Sequence, residues 1–241
     1  MPDQLLPQPP PDAPAPPPGE EAGRSRRKMW WVIWVGLGSM ILLLLSPLGE
    51  RAYRESKRGG GDMTEAINNA RQIGWALYEF KSEYGKYPDT TTAEELRQTT
   101  GSMLSLPAKT SNDLFAQLMA AGIATTERMF YAKTKSTTKP DDVWSSDATI
   151  LAHGECAFAY IMGVDPNGSP STPLAFGPVI PGTKTFDLKA NFGKVAVLRM
   201  DNSVTSVPIT PAGKIIINGL DLLDPRQPFW NGKPPDVKWP K

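Results

Sequence analysis

DMTEAINNARQIGWALYEFKSEYGKYPD, residues 62–89, decides the fold. Ala66, Ala70, Ile73, Leu77, Phe80 and Tyr84 recur at spacings of three and four, which places them on one side of an α-helix of about six turns. Glu65, Asn68, Asn69, Gln72, Glu79 and Glu83 occupy the other side. Asp62 is the expected N-cap, with Glu65 as its capping-box partner. Gly85 suits the left-handed position after a helix, and Pro88 forbids continuation. The pattern predicts an amphipathic helix over 62–84 with its own start and stop, built to lie on something.

Working toward the N-terminus, Gly59-Gly60-Gly61 is expected to break the helix and hinge the domain to what precedes it. Residues 29–48, MWWVIWVGLGSMILLLLSPL, carry no charge. About twenty helical residues cross a hydrocarbon core of roughly 30 Å, so this run is predicted to be a transmembrane anchor. Trp30, Trp31 and Trp34 gather at one end, where indoles favour the interface. Arg24, Arg26, Arg27 and Lys28 precede the run, and Arg51, Arg54, Lys57 and Arg58 follow it. These eight suit anionic lipid headgroups. They tie the positive-inside count, and orientation is read from the common arrangement of a short tail inside and a large domain outside. Residues 1–28 read as a proline-rich disordered tail, with nine prolines in the first 23 positions. The organisation expected is therefore tail 1–28, anchor 29–48, basic segment and hinge 49–61, and domain 62–241.

Working toward the C-terminus, TTTAEELRQTTG predicts a short helix capped by Thr92 and stopped by Gly101. SNDLFAQLMAAG predicts another, capped by Ser111 or Asn112 and stopped by Gly122. The pattern then changes. CAFAYIMGV and PLAFGPVI are short apolar runs bounded by Pro and Gly. KVAVLRMDNSVTSVPI reads as two strands turning at Asp201-Asn202, and GKIIINGL as a last short strand. DPRQPFWNGKPPDVKWPK is expected to wrap the surface as irregular structure. Helices followed by antiparallel strands give an α+β class, an amphipathic helix packed on a small antiparallel sheet.

These residues resemble the bacterial pseudopilins of type II secretion, which are type IV pilin-like proteins. Asn69, Arg71, Gln72, Ile73, Gly74, Ala76 and Leu77 match the family's N-x-R-Q-I-G-x-A-L helix. Tyr84, Gly85, Tyr87 and Pro88 match the tyrosine-, glycine- and proline-bearing close of that helix, and Asp201, Asn202, Ser203 and Val204 echo its late F-A-D-G-S-V strand pair. The resemblance implies a pilin-like head on a single membrane helix. It also implies the role of a structural or interaction component of a secretion or pilus-like assembly, with other envelope or secretion proteins as partners. The location implied is the bacterial inner membrane, single-pass, with the C-terminal domain extracytoplasmic. Two features depart from the family. No Gly-Phe processing bond stands before Met29, and the apolar run contains no acid. The mature protein is accordingly expected to keep its tail.

Little else suggests chemistry. From Gly59 to Lys241 there are 18 Lys or Arg against 19 Asp or Glu, which gives nucleic acid no basic footprint. One His153 and one Cys156 make an ordinary zinc site implausible and exclude an internal disulfide. Three residues apart at a loop-to-strand junction, they are not expected to form a nucleophile pair. DPNGS at 165–169 reads as a turn, since the full calcium-loop pattern is missing. Asp141, Asp142 and Asp147 are acids that could share a cation, as some related pseudopilins hold calcium near their C-terminal sheet, but no ligand spacing specifies one. Trp75, with Phe80 and Tyr84, is a candidate contact patch, although packing on the sheet accounts for the latter two. No catalytic, cofactor-binding or metal residue is singled out, and a non-enzymatic role is expected. The alternative is a membrane-tethered extracytoplasmic module that binds a surface ligand such as glycan.

Overall fold

The computed structural model describes residue 50, residues 62–189 and residues 193–241. The anchor at 29–48, the tail, the glycine triplet and most of the basic segment lie outside the described residues. Among the described residues no helix is long and apolar enough to cross a membrane. Residues from 62 onward belong to one compact unit, Glu55–Lys241.

Residues 62–84 are helical (α1), and Gly85, at φ 74°, turns the chain out of the helix with its N–H on the Lys81 carbonyl. Position 62 is already helical. Asp62 ion-pairs with Lys133 at 3.6 Å. Ala66, Ala70, Ile73, Leu77 and Phe80 are buried as expected, and Met63 and Ala76 join them. Tyr84 is only partly buried and stacks on Phe80 at 4.5 Å.

Helix α2 (Thr92–Thr100) ends at Gly101 in the left-handed region, as expected. Its start differs: Asp89 accepts from the N–H groups of Thr91 and Thr92, and the Thr92 hydroxyl is turned inward onto Gln117 at 2.6 Å. Helix α3 (Ser111–Ala120) is capped one or two residues before the expected Ser111 or Asn112. Thr110 is the N-cap and closes a reciprocal capping box with Asp113, while Ser111 and Asn112 are buried.

Strands β1 (Ala159–Met162), β2 (Pro173–Gly177), β3 (Lys194–Arg199), β4 (Val204–Pro208) and β7 (Asp236–Lys238) form one antiparallel sheet in the order β4-β3-β2-β1-β7. The β3–β4 turn falls at Asp201-Asn202, where Asn202 has φ 60°. The class is α+β. Alternation along the strands divides the core. Tyr160, Ala175, Ala196 and Leu198 share a cluster with α1, α2 and α3. Ala159, Ile161, Phe176, Val195 and Val197 point to the other face.

That other face corrects the reading of the C-terminal third. GKIIINGL forms two short strands, β5 (Ile216–Ile217) and β6 (Leu220–Asp221), paired as a separate hairpin. The proline-rich segment after them is a core layer and an edge strand. Trp230 is buried with its indole N–H on the Leu222 carbonyl at 2.7 Å, Trp239 meets Phe176 edge-on at 5.6 Å, and β7 pairs with β1. Apolar strand residues on both faces require cover on both sides, and the aromatics of this segment supply the second cover.

Candidate functional site: the α1 face and its supports

The residues that carry the resemblance have structural tasks inside this domain. Asn69 reaches from α1 to donate to the Tyr131 carbonyl at 2.8 Å and the Arg128 carbonyl at 3.1 Å. Gly74 lies against the β3–β4 turn: a Cβ there would come within 2.0 Å of the Asn202 side-chain amide and 2.8 Å of Leu198 Cδ1. With its amide nitrogen toward the Arg71 carbonyl, Asn202 donates to that oxygen at 3.3 Å and accepts from the Trp75 indole N–H at 3.1 Å. Glycine lets the hairpin tip touch the helix, and the asparagine fastens it there. Further along, the Tyr160 hydroxyl donates to the Pro88 carbonyl at 3.1 Å, and the Lys81 ammonium lies 5.9 Å from the centre of the Tyr87 ring.

Apart from the Trp75 indole N–H held by Asn202, the outer face of α1 is left to solvent. Trp75 and Tyr78 are 64% and 59% exposed, and their rings meet edge-on at 6.4 Å. They are three residues apart and therefore neighbours on one helix face. Of the expected aromatic patch, Phe80 is buried in the core and Trp75 is outside. Tyr78, which the stripe reading passed over, is its exposed partner. Arg71 stands one turn before Trp75, and Glu79 follows Tyr78, both exposed.

The expected acidic trio is not brought together. Asp147 accepts from the Ser105 N–H. Asp142, at φ 61°, accepts from the Thr126 hydroxyl, the Glu127 N–H and the Arg128 guanidinium, and these bonds hold its carboxyl below the ordinary range. Asp141 instead joins Glu127 and Glu155, with carboxylate oxygens all within 4.8 Å of one another. Those two glutamates are buried. Glu127 accepts from the N–H groups of Leu151 at 2.6 Å and Asp142 at 3.0 Å, and Glu155 from Ala152 at 2.7 Å. Burial raises both carboxyls, and their mutual repulsion adds to the rise at Glu127. Among the described acids this set has spacing that could hold a cation, and its visible task is to staple three loops. No sequence spacing announces it, because the residues are brought together by loops that each obey only local turn chemistry.

His153 is exposed, whereas Cys156 is fully buried. Burial pushes the Cys156 thiol up to about 12, and its sulfur lies 3.4 Å from the Phe158 carbonyl. The DPNGS segment is a turn, with the Gly168 N–H on the Asp165 carbonyl at 3.0 Å. It forms one lip of an open groove of about 590 Å³, whose other lip is the 228–236 segment. Set against protein-family models, curated proteins and solved structures, the chain matches none.

Proposed function

We propose that this chain is a non-enzymatic, membrane-anchored envelope protein of pseudopilin-like build, a component of a secretion or pilus-like assembly. In this reading residues 29–48 hold it in the bacterial inner membrane and the following domain is extracytoplasmic. The observation that carries the reading is the division of labour on α1. One side, with Ile73, Gly74 and Leu77, is consumed by the domain's own sheet and hairpin, and the other presents Trp75 and Tyr78 to solvent. Monomeric surfaces rarely expose clustered large aromatics without use, and Trp and Tyr are the residues that anchor protein interfaces.

The test is a photocrosslinking phenylalanine analogue at Tyr78 in the full-length protein, activated in native membranes and followed by mass spectrometry. Captured secretion or envelope proteins are the expected result. A capture pattern indistinguishable from that of the same analogue at exposed Thr99 would remove the α1 face as the contact surface.

A further inference from the structure

The groove between the β1–β2 turn and the 228–236 segment has no part in the assembly reading, and its chemistry is specific. Its floor is apolar, formed by Ile161, Val164 and the half-buried ring of Phe229, which meets Trp230 edge-on at 4.8 Å. Thr172 also lines it. This residue is 5% exposed, and its hydroxyl has no hydrogen-bond partner among the described residues. The oxygen is not sealed from solvent, so a hydroxyl that bonds no protein group keeps its donor and acceptor capacity for a partner from outside the chain. The rim adds exposed Asn231 and Asp165, the first with an uncommitted amide.

The alternatives for an occupant are narrowed by the same residues. An extended peptide would need a run of free strand edge, but β1 is paired on both sides, with β2 and with β7, and the edge strand β7 gives the groove only its first residue, Asp236. A purely apolar ligand would bury the Thr172 hydroxyl still unpaired. A strongly charged ligand meets both signs on the rim, Asp165 and Asp236 against Lys233. A sugar fits each constraint. It has one apolar C–H face to lie on an aromatic ring, and hydroxyls that both donate and accept. The volume lies within the range of small-molecule sites.

We propose that this groove binds a neutral oligosaccharide, one ring resting on Phe229 with its hydroxyls bonded to Thr172, Asn231 and Asp165. This does not depend on the assembly reading, which rests on the far side of α1.

The experiment is saturation-transfer NMR and titration calorimetry on the full-length protein in lipid nanodiscs, free of sugar-headed detergent, with chitotetraose and maltotetraose as probes and a proline-rich peptide as competitor. At least one tetrasaccharide should bind saturably. Phe229→Ala should weaken it about tenfold, and Thr172→Val roughly three- to tenfold, as loss of one ring contact or one neutral hydrogen bond implies. Asn231→Ala, at an exposed position, should weaken it without changing the melting temperature. Absence of saturable binding for both sugars overturns the proposal. So does binding indifferent to all three substitutions, or peptide binding in the groove with no sugar binding. Any of these leaves capture through Tyr78 untouched.

Discussion

At Gly74 the ordinary rule for glycine in a helix is inverted. Replacing an exposed mid-helix glycine by alanine usually stabilises by about 1 kcal/mol. Here the new methyl would sit 2.0 Å from Asn202 and 2.8 Å from Leu198, so the hairpin tip must move away from α1. Gly74→Ala is therefore expected to destabilise by about 1–3 kcal/mol, the usual cost of overpacking, and to abolish the Asn202 bonds to Arg71 and Trp75. Thermal melts of the two proteins decide it, and a raised melting temperature would mean that the contact is not made. A second residue-scale case is Glu127. Its carboxyl is raised above the ordinary 4.5 chiefly by burial. The folded state then binds protons more tightly than the unfolded state, so this group's contribution is fully present below pH 4.5 and is lost as pH rises through its folded value. Glu155 acts in the same direction. The lowered aspartates, Asp142 among them, act oppositely and at lower pH, below about 3.8. Stability measured upward from pH 4.5 should decline, and Glu127→Gln should flatten that decline. The same variant should lose about 1–3 kcal/mol near pH 5, because one amide oxygen cannot serve both the Leu151 and Asp142 N–H groups.

At the scale of elements, α1 was legible because its signals agree. A three-four stripe, a left-handed glycine and a following proline all point to the same span, and the helix runs to 84 as read. The β3–β4 hairpin was legible for a similar reason, two apolar runs meeting at a pair that tolerates positive φ. The caps of α2 and α3 were misplaced by short distances because several hydroxyl and carboxyl residues compete there. Only the tertiary environment turns Thr92 and Ser111 inward. The 224–241 segment is where sequence and structure differ most. Proline density suggested irregular surface, but Trp230 and Trp239 are needed to cover the second face of the sheet, a requirement that appears only once the strands are seen to be apolar on both sides. The candidate face itself was half legible: Trp75 stood off the stripe in the sequence, but Tyr78 lacked any signal that distinguished it from a polar-side residue. The two sides of α1 should now separate by mutation. Leu77 is fully buried, and Leu77→Asp forfeits about 1.5–3 kcal/mol of apolar burial and adds a charge without a partner, which should unfold the domain. Tyr78→Ala should leave the melting temperature within the scatter of surface substitutions, about 0.5 kcal/mol, while reducing captured partners. Circular dichroism on both variants checks the first claim, and quantitative crosslinking of Tyr78→Ala from a neighbouring position on α1 checks the second.

At the scale of the whole molecule the question is how much association the domain can support alone. Trp75 and Tyr78 are about three-fifths exposed, so covering them would bury roughly 200–300 Å², given about 150–250 Å² for each whole aromatic. A stable complex needs about 800 Å² on each partner. The domain from Gly59 onward is close to neutral, 18 basic against 19 acidic residues, and offers no strong field to add to that area. The Glu55–Lys241 unit by itself is therefore expected to be monomeric at micromolar concentration, by light scattering. A stable dimer there would reveal a self-association surface larger than the α1 face. Under the proposed anchoring the case differs, since confinement beside a partner would raise the effective concentration toward millimolar, where a contact of a few hundred square ångströms is occupied. That mechanism requires the domain and its partners to share one side of the membrane. Protease added to intact spheroplasts should then digest residues beyond Gly59 and spare the proline-rich tail. Protection of the domain would place it in the cytoplasm, and the α1 face would have to meet its partners there.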